Sequence, residues 1–183
     1  MSDINVLVVF YSRYGNAERL ALAAGVGAIQ ARANIRLRRV ADQADAKTID
    51  ATPSWRENLD RMNRDYVVPR PADPQWADVI VLATPSDSCA EIESYCASLR
   101  SVAPMAGKIA APLAPGEDES TLRPVYAAAA CAGMLVVPAN ADTADPIAAA
   151  REYGQRVTQI ARSLKKLPPT ELSPSTVGSP RRV

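Results

Sequence analysis

Residues 6–17 read VLVVFYSRYGNA, and this stretch decides the fold of the chain. Its first half is an unbroken apolar run rich in β-branched side chains, and its second half is a short polar turn that contains Gly15. The helical pattern AERLALAAGVGAI follows at once. A buried strand, a tight loop and an amphipathic helix in this order are typical of the unit that opens a parallel α/β sheet.

The loop of this unit is a candidate phosphate site, because backbone N–H groups and a helix N-terminus converge there and the helix dipole favours an anion. Ser12 and Asn16 can add side-chain donors, and Ala17 leaves its N–H open. Gly15 permits a backbone geometry that a side chain would obstruct. The alternative is a plain strand-to-helix turn in which Ser12 or Asn16 caps the helix.

The composition favours a single α/β domain. With 183 residues the chain can bury one sizeable core, and we expect this domain to span residues 1–166 and to precede a poorly ordered Pro- and Ser-rich tail at residues 167–183. A formal net charge of +1 gives no sign of a nucleic-acid footprint. Apolar runs stay short of the ~20 residues of a membrane-spanning helix, and the N-terminus lacks a signal segment, so a cytoplasmic protein is predicted.

The sequence contains no histidine, which removes Ser-His-Asp and Cys-His catalysis and imidazole metal sites from consideration. The cysteines are Cys89, Cys96 and Cys131, without C-x-x-C spacing. Neither a disulfide framework nor a metal site is therefore predicted. Any chemistry must come largely from a bound cofactor.

Five apolar runs alternate with helical patterns along the chain. This alternation predicts a three-layer α/β sandwich whose five-stranded parallel sheet has the flavodoxin-like order 2-1-3-4-5. In that order a crevice opens at the carboxyl ends of strands one and three, which suits a mononucleotide because no G-x-G-x-x-G follows strand one and no G-x-x-x-x-G-K-[ST] is present. The strands are predicted at residues 5–11, 34–40, 77–83, 107–113 and 134–138, and the helices at residues 16–31, 54–63, 91–102, 118–132 and 146–167.

Residues 41–76 lack a clear periodicity and are rich in Pro, Asp and Arg. A segment of this length forms a lid or an oligomer contact, or else a surface excursion anchored by one helix that carries Trp55, Leu59 and Met62 on a common face. Asp73 is predicted to cap a further helical turn.

Two strands carry unusual residues. The second strand, NIRLRRV at residues 34–40, alternates apolar side chains with arginines, which is typical of an edge strand with one wet face. Pro112 lies inside the fourth strand and predicts a weak end or an early stop there.

Several stretches together resemble the WrbA-type family of FMN-dependent NAD(P)H:quinone oxidoreductases. They are VLVVFYSRYGNAERLA, ADVIVLATPS, the strand start at Gly107, GMLVVP and AREYGQRV, and they cover nearly the whole chain up to Lys166 in the family's order. The most specific element is S-x-Y-G-N at residues 12–16, which holds the FMN phosphate in the family. The resemblance implies FMN as cofactor, NADH or NADPH as electron donor, a quinone as acceptor, and a homo-dimer or homo-tetramer.

Carried over by position, the resemblance implies an FMN site made of three loops. The phosphate would lie against residues 12–17, and the ribityl chain and ring would lie along Pro85 and Ser86. The candidate cofactor-binding residues are Ser12, Arg13, Tyr14, Gly15, Asn16, Ala17, Thr84, Pro85, Ser86, Asp87, Pro115 and Gly116.

The residues around the flavin ring depart from the family pattern. After T-P-[ST] the family continues with Arg, Phe, Gly and Asn, whereas this chain has Asp, Ser, Cys and Ala at residues 87–90. The third loop is glycine-rich in the family, but here Pro115 removes a donor and only Gly116 allows a close approach. Asp87 and the acidic residues 117–119 would place up to four carboxylates near the ring, opposing an anionic reduced flavin. Alternatively, residues 117–119 are simply the acidic first turn of a helix.

Two classes of function follow from the sequence. In the first, FMN takes a hydride from NADH or NADPH and passes two electrons to a quinone, with Tyr14 as the one candidate proton donor. In the second, the chain is a flavin-free or weakly flavin-binding flavodoxin-like binding or interaction protein; a pure electron carrier is a third alternative. Cys89 lies at a predicted helix start, where thiol acidity is raised, so it either exchanges with the flavin or is an inert buried thiol.

Overall fold

The computed structural model describes residues 3–102, 104–116, 119–139 and 144–166. None of the described helices is long and apolar enough to cross a membrane. The strands are β1 (Ile4–Phe10), β2 (Ala33–Arg39), β3 (Val79–Ala83), β4 (Ile109–Leu113) and β5 (Leu135–Val136). The helices are α1 (Asn16–Gln30), α2 (Ala46–Asp50), α3 (Pro53–Asp65), α4 (Ala72–Trp76), α5 (Ala90–Val102), α6 (Arg123–Cys131) and α7 (Pro146–Leu164), and a 3-10 turn (Glu119–Leu122) precedes α6.

The five strands form one parallel sheet in the order β2-β1-β3-β4-β5, which confirms the predicted topology. The three central strands end level with one another, since Phe10 of β1 pairs with Ala83 of β3, and Ala83 pairs with Leu113 of β4. The loops that follow these strands therefore start side by side at the carboxyl edge of the sheet.

Both faces of the sheet are covered by helices. Alternate side chains of a strand point to opposite faces, so Val8 and Val81 pack in the core shared with α1 and α7, and Leu7 and Ile80 pack in the core shared with α5 and α6. Burial on both faces explains why β1 and β3 are continuous apolar runs in the sequence.

Helices α1 and α7 cross at two glycines. A Cβ atom on Gly27 would lie 1.9 Å from the carbonyl oxygen of Arg151, and a Cβ atom on Gly154 would lie 2.0 Å from the carbonyl oxygen of Ala24. Only glycine permits backbones to approach this closely. The positions of α1 that were predicted to face inward are all buried, namely Leu20, Ala23, Ala24, Gly27 and Ala28.

The edge strand β2 differs from its prediction, because its arginine face is covered by protein. Arg36 and Arg38 both bind Asp73, with N–O distances of 3.1 and 2.7 Å. Arg36 also stacks on Trp76, with its guanidinium carbon 4.2 Å from the ring centroid. The apolar Ile35, by contrast, is exposed. Helix α4, which precedes β3, folds back over the two arginines and supplies the Asp73 carboxylate that pairs with both.

Residues 41–76 contain α2, α3 and α4, so the segment holds more helix than was predicted. The predicted helical face is confirmed, since Trp55, Leu59 and Met62 of α3 are buried. The predicted cap at Asp73 is wrong, because α4 begins one residue earlier. The Asp73 carboxylate instead accepts hydrogen bonds from the two β2 arginines and from the Arg70 N–H at 2.9 Å. The segment is anchored to the domain at both of its ends.

The early stop predicted at Pro112 is wrong, since β4 continues through it to Leu113. The Val137 N–H donates to the carbonyl oxygen of Ala110, and alternation along a strand turns the nitrogen of Pro112 toward the same side. Strand β5 ends at Val136, so no partner strand needs the N–H that proline lacks. The predicted fifth strand, residues 134–138, is accordingly reduced to two residues.

The helix predicted at residues 118–132 is divided into the 3-10 turn and α6, and residue 118 lies outside the described residues. Pro124 occupies the first turn of α6, where its missing N–H needs no partner. Gly133 ends α6 with φ of +88°, as predicted. Helix α7 begins as predicted, with the Asp145 carboxylate accepting from the N–H groups of Ile147 and Ala148. The predicted tail at residues 167–183 lies outside the described residues.

Candidate functional site

The candidate site lies at the carboxyl edge of the sheet, where three loops start at the same level. The Tyr11 N–H donates to the carbonyl oxygen of Ala83, and the Thr84 N–H donates to that of Leu113, both at 3.0 Å. These bonds fix the start of the β1–α1 loop beside the β3–α5 loop, and the start of the β3–α5 loop beside the loop after β4. The predicted site residues of all three loops are therefore brought to one edge.

The β1–α1 loop is organised by Ser12, which is 1% exposed. Its Oγ accepts a hydrogen bond from the Gly15 N–H at 3.0 Å. Gly15 adopts φ of +89°, a left-handed conformation that favours glycine, and its carbonyl oxygen accepts the first helical bond, from the Arg19 N–H. Ser12 thus holds the residue that precedes α1 and does not cap the first turn of that helix.

Free backbone donors remain at the start of α1. Among the residues that the structure describes, the N–H groups of Tyr14, Asn16 and Ala17 have no hydrogen-bond acceptor. Tyr14, at 52% exposure, and Asn16 are exposed, whereas Ala17 is fully buried, so solvent reaches this turn at Tyr14 and Asn16. The loop therefore presents unused donors at the positive end of the α1 dipole, which is the arrangement that binds anions.

The opposite side of the first turn is closed by Glu18, which no local sequence pattern marks as a site residue. Its carboxylate accepts two hydrogen bonds from Arg61, at 2.9 and 2.6 Å, and one from the Tyr66 hydroxyl at 2.5 Å. Burial opposes ionisation of Glu18, but these donors outweigh it and lower its pKa. The negative charge next to the loop is thus already neutralised within the protein.

Arg13 joins the first loop to the second. Its Nη1 lies 3.2 Å from an Asp87 carboxylate oxygen, and its Nε donates to the Tyr11 hydroxyl at 3.1 Å. The guanidinium carbon also lies 4.8 Å from the ring centroid of Trp55, within the range of a cation–π contact.

Asp42 holds the residues behind Arg13. One of its carboxylate oxygens accepts hydrogen bonds from the Tyr11 hydroxyl at 2.9 Å and from the Trp55 Nε1 at 3.0 Å, and the other accepts from Arg39. Arg39 and Asp42 are both buried at the side chain. The segment after β2 is thereby tied to the carboxyl end of β1, and the ring that Arg13 stacks on is fixed.

The β3–α5 loop is held at two points. The buried Thr84 donates from its Oγ1 to the carbonyl oxygen of Ser88 at 2.7 Å, and Thr121 donates to the carbonyl oxygen of Ser86 at 2.8 Å. Between these points Ser86 and Asp87 are exposed, and Pro85 is half-buried. Thr121 was not predicted to take part, because a threonine 35 residues away leaves no local signal in the sequence.

The loop after β4 contributes Pro115 and Gly116. Gly116 is exposed with φ of +90°, and a Cβ atom placed on it would meet no heavy atom within 4 Å. Residues 117 and 118 and the side chain of residue 119 lie outside the described residues. Of the four carboxylates predicted near the ring, Asp87 is the one described, and it is paired with Arg13.

Of the two alternatives for Cys89, a thiol that exchanges with the flavin and an inert buried thiol, the structure favours the inert thiol, although the residue is half-buried. Burial raises the pKa of Cys89, and Glu93 and Glu91 raise it further. Burial and both glutamates favour the protonated thiol, which is a poor nucleophile. The three cysteines are free, and the described residues contain no group of three or more Cys, Asp or Glu side chains that could hold a metal ion.

No family model matches the chain. A protein of Deinococcus radiodurans named NAD(P)H dehydrogenase (quinone) is 32% identical over 85 residues. The match covers 46% of this chain and 42% of that protein, which is less than half of either.

Solved structures resemble the chain over most of its length. A diflavin flavoprotein from Nostoc sp. superposes with a TM-score of 0.56 at 14% identity, over 90% of this chain and 97% of that chain. The two-electron reduced flavodoxin of Megasphaera elsdenii superposes with a TM-score of 0.54 at 16% identity, over 84% and 98%. Together with the strand order, these likenesses show that the chain has the flavodoxin-like fold.

Proposed function

We propose that this chain binds FMN at the carboxyl edge of its sheet and uses it to transfer two electrons from NADH or NADPH to a quinone. The observation that carries the proposal is the set of unused N–H groups of Tyr14, Asn16 and Ala17 around Gly15. The name of the partial relative from Deinococcus radiodurans, NAD(P)H dehydrogenase (quinone), supports the choice of donor and acceptor.

The phosphate end of the site fits the residues present. A phosphate dianion at residues 12–17 would receive hydrogen bonds from amides that have no acceptor among the described residues, and charge-assisted bonds of this kind are the strong ones. Ser12 keeps the loop in the shape that exposes these amides. Arg13 adds a positive charge that α1 alone does not supply.

The ring end of the site offers fewer hydrogen-bond donors than the phosphate end. Pro115 has no N–H, and the Thr84 hydroxyl is already used within its own loop. The exposed backbone of Ser86 and Asp87 and the open Gly116 would line the ribityl chain and ring. Bound FMN would supply the chemistry, a ring that accepts hydride and releases two electrons. The protein's part is to hold and orient it, chiefly through the phosphate.

A direct titration tests the proposal. We expect FMN fluorescence to be quenched on binding, and riboflavin, which lacks the phosphate, to bind at least about tenfold more weakly because it forms none of the charge-assisted bonds. Asn16→Glu should weaken FMN binding about tenfold or more, since it sets a carboxylate beside the phosphate. Gln159→Glu adds the same charge on an exposed position of α7 and should leave FMN affinity unchanged. Equal affinity of the wild type for FMN and riboflavin would contradict the phosphate assignment.

Turnover is the second test. We expect the FMN-loaded protein to oxidise NADH or NADPH in the presence of a soluble quinone, and the preferred nucleotide to emerge from the same assay. The weak ring end favours a second candidate function, a flavodoxin-like binding protein that uses the loop for another anion. Phosphate-dependent binding without FMN-supported oxidation would select that candidate. We also propose a homo-dimer or homo-tetramer, which sedimentation equilibrium would measure.

A further inference from the structure

The ion pair between Arg13 and Asp87 connects the two loops that are proposed to hold opposite ends of FMN. Its partners are 74 residues apart in sequence and 3.2 Å apart in space. Among the described residues, no other ion pair joins these two loops. The pair therefore lies between the phosphate end and the ring end of the proposed site.

The two partners are held very differently. The Arg13 side chain is 22% exposed and is fixed without Asp87, by the Tyr11 hydroxyl and by the face of Trp55. The Asp87 side chain is 60% exposed and makes no other hydrogen bond to a described residue. Removing the carboxylate therefore leaves the guanidinium in place, whereas Asp87 can turn to water at little cost.

We propose that Asp87 is a built-in counter-ion that competes with the ligand's phosphate for Arg13 and thereby sets the affinity of the site. This inference rests on the proposed function and specifies how that site is regulated. A phosphate dianion is a stronger partner for a guanidinium than a single carboxylate. Ligand binding then releases Asp87 to solvent, and the free protein keeps a neutral pair where an unpaired cation would attract other anions.

A double-mutant cycle separates competition from simple repulsion. If Asp87 acts by occupying Arg13, Asp87→Asn tightens FMN binding more while Arg13 is present than in the Arg13→Gln background, where only the repulsion by the unpaired carboxylate is left to remove. If Asp87 merely repels the phosphate, Asp87→Asn tightens binding in the Arg13→Gln background as well, and more strongly, because the carboxylate is then unpaired. The two accounts thus predict opposite results for the double variant.

The experiment is an FMN titration by fluorescence quenching on the wild type, Asp87→Asn, Arg13→Gln and the double variant, at low and high salt. We expect Asp87→Asn to lower the FMN dissociation constant about two- to fivefold, the range that an exposed ion pair can supply, and the gain to shrink in high salt. Arg13→Gln should raise the dissociation constant, and Asp87→Asn should lower it by a smaller factor in the Arg13→Gln background than in the wild type. Riboflavin affinity should be the same for Asp87→Asn and the wild type.

The control is Asp50→Asn, which breaks the pair of Asp50 with Arg56 outside the three loops; the Asp50 side chain is 59% exposed, like that of Asp87. It should bind FMN like the wild type, and far-UV circular dichroism should be the same for all variants. FMN binding that is unchanged in Asp87→Asn, or a gain that is as large or larger in the Arg13→Gln background, overturns the inference and leaves the proposed function standing. Absence of FMN binding by every variant, Asp87→Asn included, overturns both.

Discussion

Ser12 is the residue on which the shape of the β1–α1 loop depends. Its hydroxyl is the acceptor for the buried Gly15 N–H. We expect Ser12→Ala to lower the free energy of unfolding by about 1–3 kcal/mol, the cost of a buried donor left without a partner, and to weaken FMN binding as the loop loses its shape. Urea denaturation and an FMN titration measure the two effects. Ser163→Ala, on an exposed position of α7, should change neither.

Glu18 gives a second prediction, which depends on pH. Its lowered pKa means that the Arg61 and Tyr66 contacts stabilise the folded state above the ordinary glutamate pKa and lose that effect as the pH falls through the folded-state pKa. At pH 7 we expect Glu18→Gln to cost about 2 kcal/mol, a value moderated by the partial exposure of Arg61.

The test is urea denaturation of the wild type and Glu18→Gln from pH 7 to pH 3. The difference between the two proteins should be largest at pH 7 and should shrink as the pH falls through the folded-state pKa of Glu18. A difference that does not change with pH would show that the packing of Glu18, and not its charge, stabilises the first turn. Glu57→Gln, on the exposed side of α3, is the matched control and should behave like the wild type throughout.

Single residues also show which parts of the candidate site could be predicted from the sequence and which could not. The loop at residues 12–17 was predicted because Gly15, its polar neighbours and the following helix are adjacent in sequence. Arg61 and Asp42 were missed because they reach the site from α3 and from the chain after β2, and no local pattern marks such partners. For Cys89, position at a helix start indicated an acidic thiol, but burial and two nearby glutamates decide its pKa in the opposite direction.

The α1–α7 contact provides a prediction at the level of packed helices. Gly27→Ala or Gly154→Ala places a Cβ atom about 2 Å from a backbone carbonyl oxygen, so the helices must separate, and we expect a loss of about 3 kcal/mol in the free energy of unfolding. Gly25 lies on the same helix, but its Cβ atom would meet only side-chain atoms at 3.7 and 3.8 Å. Gly25→Ala should therefore stabilise the protein by about 0.5–1 kcal/mol, the helix-propensity gain.

Thermal and urea denaturation of the three variants check this prediction. Opposite signs for Gly25→Ala and Gly27→Ala support a backbone-to-backbone crossing. Equal effects of the two substitutions would mean that α1 and α7 lie farther apart than this packing requires.

Elements were predictable from sequence where hydrophobic periodicity alone determines them. The predicted positions agree to within a few residues for strands β1 and β3 and for helices α1, α3 and α5. The buried faces of these elements consist of apolar residues, so their periodicity is visible in the sequence. Prediction failed where a polar residue is structural. The arginines of β2 indicated a wet face, whereas the Asp73 carboxylate, 35 residues from Arg38, covers and pairs with them. Pro112 indicated a strand end, whereas the short β5 leaves its side of β4 free of pairing.

The carboxyl ends of the central strands are aligned only in the complete sheet. The strand order places β1 between β2 and β3, and the register levels the carboxyl ends of β1, β3 and β4. Loops from distant parts of the chain therefore face one another, and α3 closes the β2 side of the site with the Trp55 ring behind Arg13. The strand order was predictable from the alternation of strands and helices, but the closure by α3 was not.

The pH dependence of global stability follows from the titratable groups of the whole chain. Histidine is absent from the sequence, so no imidazole titrates between pH 5 and 8. Burial opposes ionisation of Glu18 and Asp73, but their arginine partners lower both pKa values. The stability that these carboxylates supply is therefore complete above the ordinary carboxyl pKa and is lost as the pH falls through the folded-state values. At the alkaline end, burial raises the pKa of Cys96 to about 12. The stability that the protonated thiol supplies is therefore complete below the ordinary thiol pKa and is lost as the pH rises above it.

We therefore expect a plateau in the free energy of unfolding from pH 5.5 to pH 7.5, flat to within about 0.5 kcal/mol, and a steep decline below about pH 4.5. Urea denaturation at half-unit pH intervals measures it. Glu18→Gln should flatten the acid decline and leave the plateau flat but lower, because only the acid limb depends on the titration of that carboxylate. A sigmoidal step in the free energy of unfolding between pH 6 and 7 would contradict the predicted plateau. Such a step would require a carboxylate with a strongly raised pKa among groups that the fold holds ionised.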